Sequence, residues 1–162
     1  MEDVSVSGVA LDRDEAKLTL KNVPDRPGVA ARLFGPIAAA NIVVDMIIQN
    51  ASADGTTDLT FTVPKADFKR ALALTEAHAR HLGAAGVRTD TDVAKVSIVG
   101  LGMRSHAGVA AKMFRALADE RINIQMISTS EIKTSVVVDA KYVELAVRVL
   151  HDAFLGPVEG GA

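Results

Sequence analysis

The chain has 162 residues, 49% of them hydrophobic and only 4% aromatic, with 18 Lys and Arg against 20 Asp and Glu for a formal net charge of -2. Such a balance argues against a protein whose main work is neutralising nucleic-acid phosphates, and the lack of cysteine excludes disulfides, thiolate metal sites and thiol catalysis. No run approaches the ~20 apolar residues that span a bilayer, and MEDVSVSGVA lacks the basic and apolar regions of a signal peptide. A cytoplasmic protein is expected, with neither nucleic acid nor membrane as its partner.

Valine-rich alternation from Val4 to Leu11 predicts a strand, ended by the charged run DRDE; AKLTLKNV alternates with period two and predicts a second. PDRPG breaks it. From Val29 to Ala40 the apolar residues Val29, Leu33, Phe34 and Ile37 fall three and four apart, the spacing of an amphipathic helix. NIVVDMIIQN predicts a β-branched strand, SADGTTD a turn through Asp54-Gly55, and LTFTVP another strand. A helix over Ala66 to Leu82 ends near Gly83, and GVRTDTD predicts a short strand.

The pattern then restarts. AKVSIVGLG repeats AKLTLKNVP, a helix over Val109 to Glu120 repeats the first, INIQMIST matches IVVDMIIQ, and KTSVVVD and Tyr142 to Phe154 supply a strand and a last helix. Each unit reads as an α+β, ferredoxin-like β-α-β-β-α-β module, with an antiparallel sheet and its helices on one face. The second unit stops without a closing strand, whereas the first has a spare strand ahead of it. The leading strand is therefore expected to close the second sheet, where an unpaired edge would invite aggregation. The expected domains are 16–91, inserted within a second built from 4–15 and 92–155, with 156–162 as a tail.

The two helix starts share a pattern, DRPGVAA and SHAGVAA. Asp25 aligns with Ser105, Gly28 with Gly108, and Ala30 with Ala110; Asp and Ser are both strong N-cap residues, but neither copy has a Glu or Gln three residues on to complete a capping box. First-turn amides without partners, beside a glycine and a small alanine, suit a small anion such as a carboxylate. The alternative is an ordinary capped turn whose glycine serves backbone geometry alone.

Other candidates carry less. His78 and His81 lie three apart on a helix, but no carboxylate completes a metal site, and His151 reads as a helix residue. GLGMRSHAG departs from both G-x-G-x-x-G and the P-loop, no acid–base pair or nucleophile stands out, and the aromatic strand motif of RNA-binding modules with this element order is absent. No catalytic residue, metal or cofactor is expected in this chain.

With both units in view, the sequence resembles the regulatory region of aspartokinase, a tandem pair of ACT domains. The likeness is carried by VPDRPGVAARLFGPIAAANIVVDMIIQN, DGTTDLTFTVP, AKVSIVGLGMRSHAGVAAKMFRALADERINIQMISTSEIK and ELAVRVLHDAF, from about Val4 to Phe154. The resemblance implies a feedback-inhibition module that binds lysine, threonine or both between ACT units of two chains. It implies a homodimer through ACT–ACT pairing and a catalytic domain or subunit as partner, where ATP and Mg would act in phosphorylating the aspartate carboxylate. That catalytic part has no counterpart in these residues, so the chain is not expected to be a kinase alone. A stand-alone tandem sensor controlling another protein is the alternative.

Carried over by position, the resemblance assigns a threonine-type site to Asp25, Gly28, Val29, Ala30 and Gln49, closed by Asn123 and Ile124 of a second chain. Asp25 would take the α-ammonium, the amides near Gly28 to Ala30 the α-carboxylate, and Gln49 a threonine hydroxyl. A lysine-type site falls on Ser105, Gly108, Val109, Ala110, Thr129, Ser130 and Glu131, with Glu131 as partner of the lysine ammonium.

Overall fold

Strand β1 covers Val6–Pro24, with alternate apolar residues Ala16, Leu18 and Leu20 buried on one face; an irregularity after Leu20, where Asn22 takes φ 49°, returns Val23 to the core. The computed structural model describes residues 6–50 and 54–156. Val4 and Ser5 of the expected first strand, Ser52 and Ala53 of the expected turn, and 157–162 of the expected tail lie outside them. Two compact units emerge among the described residues: one lies within Asp14–Thr91, and the other joins those before Asp14 to those from Asp92 to Gly156.

The Asp14–Thr91 unit follows the second half of β1 with helix α1, Val29–Ala39, strand β2, Ile47–Gln49, strand β3, Thr56–Val63, and helix α2, Phe68–Leu82. It closes with the start of β4, Gly86–Gly100. Its strands lie in the order β2-β3-β1-β4, with β1 and β2 antiparallel to β3. Ala85 N–H donates to Lys21 O at 2.8 Å beside the entry to β4. The core joins Leu18, Leu20, Leu33, Ile37, Leu59 and Phe61, all fully buried; each contributes roughly 1.5–3 kcal/mol by leaving water.

The unit beginning at Asp92 repeats this with the rest of β4, helix α3, Ala107–Asp119, strand β5, Met126–Thr129, strand β6, Lys133–Asp139, and helix α4, Val143–Leu155. The order is β1-β4-β6-β5, so the first half of β1 supplies the strand that this half of the sequence lacks. Ser7 Oγ donates to Val99 O at 3.2 Å, and Val6 packs with Ala94, Val96 and Ile98. Each unit is thus a ferredoxin-like module, and the first is inserted in the second.

Four elements differ from the sequence reading, one being the expected strand INIQMIST, of which only Met126–Thr129 is strand. DRDE does not end a strand: β1 runs through it, because Arg13 pairs with Glu144 at 2.9 Å and Asp14 accepts Lys65 N–H at 2.8 Å. The expected strand over Asn41 to Asn50 shrinks to Ile47–Gln49. Ahead of it Asp45 and Met46 bond to Thr62 instead: Asp45 N–H to its carbonyl, Met46 N–H to its hydroxyl, and Thr62 N–H to Met46 O. GVRTDTD is not a separate strand but the start of β4, continuous with AKVSIVG.

Both first helices end alike. Asn41 and Arg121 take positive φ, 60° and 58°. Ile42 N–H reaches Ile37 O at 3.2 Å, and Ile122 N–H reaches Leu117 O at 3.0 Å. These are Schellman closures, each followed by a buried isoleucine that fixes where the chain leaves the helix.

Candidate functional site

The bend between β1 and α1 is short, and its geometry follows from Gly28. This residue is the N-cap of α1, left-handed at φ 95°, and no side chain caps the helix. Asp25, expected as a cap, stands three residues earlier, exposed, with its N–H donated to Gly55 O at 2.9 Å. The first-turn bonds are Val29 N–H to Arg26 O at 3.5 Å and Arg32 N–H to Gly28 O at 3.0 Å. The amides of Ala30 and Ala31 have no acceptor among the described residues. Val29 points into the core, Ala30 is exposed, and no atom lies within 4 Å of where a Cβ on Gly28 would stand.

Asp58 braces the strand leading into this bend. Its carboxylate accepts Asn22 N–H at 2.9 Å and the Lys21 ammonium at 2.6 Å across an irregularity in the β1–β3 register. The backbone bond from Asn22, then the Lys21 hydrogen bond, hold Asp58 below the usual carboxylate range. Gln49 ends β2 opposite Leu59, exposed on the same sheet.

The second bend is built differently. Between β4 and α3 runs a 3-10 turn, Met103–Ser105, anchored by buried Met103, whose N–H donates to Glu131 O at 3.1 Å. The N-cap of α3 is His106, not Ser105, and again no side chain caps the helix. Gly108 therefore lies inside the first turn of α3, exposed, with nothing within 4 Å of a Cβ built on it. Val109 N–H donates to His106 O at 3.1 Å, leaving the amide of Gly108 without an acceptor among the described residues. Val109 is buried and Ala110 half-buried.

The Met103–Glu131 bond brings Ser105 and the β5–β6 turn to one corner of this unit. Thr129 ends β5, exposed and paired with Thr134. Ser130 is tied into the turn by Lys133 N–H to its Oγ at 3.2 Å. Glu131 is exposed and lies 3.7 Å from Arg104. Asn123 is exposed and Ile124 half-buried, on the segment that buried Ile122 anchors ahead of β5. Sequence reading did not single out His106, although its place before the glycine-led helix was the available signal.

Two uncapped helix starts, each beneath a glycine-opened bend in a β-α-β-β-α-β unit, define a paired ACT module. The ACT-domain family model matches residues 21–78 and again 96–154. Aspartate kinase Ask_LysC of Stutzerimonas stutzeri is 62% identical over 95% of this chain, as is the aspartokinase of Pseudomonas aeruginosa. The chain spans 37% of the length of each. The ligand-free regulatory subunit of aspartate kinase from Thermus thermophilus superposes with a TM-score of 0.89 at 44% identity, covering 93% of this chain and 99% of that one. The chain belongs to the ACT-domain family and, within it, to the regulatory regions of aspartokinases. Its role is regulatory, and among the described residues no helix is long and apolar enough to cross a membrane.

Proposed function

We propose that this chain is the feedback-sensing module of a cytoplasmic aspartokinase, as domain or subunit, binding lysine, threonine or both where ACT units of two copies meet. The observation that carries this reading is the pair of uncapped helix starts, at α1 and α3, whose first-turn amides lack acceptors. Such amides and the positive end of the helix dipole hold a carboxylate. At the first bend Asp25 takes the α-ammonium and Gln49 a threonine hydroxyl, with Asn123 and Ile124 of a second copy as the lid. At the second, Glu131 takes the lysine ammonium. Its pairing with Arg104 is exposed and long at 3.7 Å, so exchanging it costs little.

A ligand bridging two copies stabilises the closed dimer only by its differential affinity for that state. A coupling of ~1–3 kcal/mol would suffice to pass inhibition to the catalytic part, where ATP and Mg act on aspartate. The 62% identity to a stretch that makes up 37% of a longer aspartate kinase supports that partner. The test is a thermal-shift and sedimentation panel over the twenty amino acids. Lysine or threonine should raise the melting temperature by linkage and favour dimer, and Asp25→Ala should weaken threonine more than lysine. A flat panel at millimolar concentration would remove the reading.

A further inference from the structure

His106 has a constrained ring. Its Nδ1 lies 2.7 Å from Gly102 O, and a carbonyl oxygen only accepts, so Nδ1 carries the proton. In the neutral ring Nε2 is then a bare acceptor. That atom has no partner among the described residues and is not buried, so it reaches solvent from a half-buried side chain. Gly102 is left-handed at φ 70°, and a Cβ there would stand 3.5 Å from the imidazole. The Gly102–His106 bond therefore closes the loop over the 3-10 turn and ends at the N-cap of α3, next to the open amide of Gly108.

The first bend has no such lock, since Gly28 itself caps α1 there and the acidic Asp25 stands nearby. The aligned residue of the second bend, Ser105, is a neutral hydroxyl and a weaker acceptor for a cation. We propose that His106 is a binding residue at the second bend: Nδ1 locks the loop, and Nε2 accepts the α-ammonium of the amino acid whose carboxylate the α3 amides hold. This rests on the amino-acid-sensing reading above.

Two variants separate the roles. In His106→Asn the side-chain amide N–H stands near the place of Nδ1 and keeps the lock, while nothing replaces Nε2. In His106→Gln an amide group reaches the place of Nε2, and the lock is lost. The full chain, labelled with 15N, is titrated with lysine and with threonine while the Ala110 amide is followed. The wild-type ring should show the Nδ1–H tautomer, with an Nε2 resonance that moves on binding. His106→Asn should melt as the wild type does but bind at the second bend about tenfold more weakly, the loss of one hydrogen bond to a charged group. His106→Gln should melt lower. An Nε2–H tautomer in the wild type, or unchanged binding by His106→Asn, overturns the assignment alone. No binding by the wild type at either bend overturns the sensing reading and this inference with it.

Discussion

Gly28 and Gly108 occupy the same place in the two sequence repeats and have opposite backbone conformations: Gly28 caps α1 at φ 95°, whereas Gly108 is the second residue of α3. A side chain at 28 would be forced left-handed, at a cost of roughly 1–2 kcal/mol. At 108 the fold itself makes no demand for glycine, since a Cβ there meets nothing within 4 Å. Gly28→Ala should therefore lower the urea midpoint, while Gly108→Ala leaves it level or raises it by up to ~1 kcal/mol of stability. If the second bend grips a ligand, Gly108→Ala should still blunt the lysine or threonine response.

Arg121 closes α3 in the left-handed region at φ 58°, a place better suited to glycine. Arg121→Gly should gain about 0.5–1 kcal/mol, the relieved strain less the extra freedom of the unfolded glycine. Thermal unfolding checks this, and an unchanged or lower melting point would show that the Arg121 side chain contributes more than its backbone costs.

Ser97 and Ser135 face each other across β4 and β6, both buried, with hydroxyl oxygens 2.6 Å apart. Thr19 and Thr60 form the matching pair in the other unit at 3.0 Å. Ser97→Ala should cost about 1–3 kcal/mol by stranding the Ser135 hydroxyl, and adding Ser135→Ala should recover much of that. A double-mutant cycle by urea unfolding reads the coupling.

Asp58 titrates below its ordinary value of 3.8 in the folded chain, chiefly through the Asn22 backbone bond. Its contribution is therefore present above that value and fades as pH falls through the lower folded one. With a side chain 42% exposed, the contribution is screened to below ~1 kcal/mol. Asp58→Asn should lower stability slightly at pH 7 and flatten its decline below pH ~4. Equal acid sensitivity in both proteins would assign that decline elsewhere.

Much of the fold was legible because duplication repeated each signal. Ile37 and Leu117 sit at matching positions of two helical stripes, and each is fully buried. What misled was local chemistry with distant partners. DRDE reads as a break until Arg13 meets Glu144, and Asn41 to Met46 read as strand until Thr62 takes up the backbone bonds of Asp45 and Met46. The bends were legible as places but not as structures. Identical GVAA runs begin two helices at different residues, because Gly28 turns left-handed while the His106–Gly102 bond closes a longer loop. Asn123 and Gln49, which the proposed pocket draws from two chains, carry no periodic signal that would link them.

The amide spectrum of the 15N-labelled chain, recorded while lysine or threonine is added, tests the central claim most directly. The account predicts that the resonances of Ala30 and Ala31, of Gly108 and Ala110, or of both pairs move saturably while core amides such as Leu59 stay still. Saturable shifts confined to other surfaces, or none at either bend with both amino acids in excess, would contradict it.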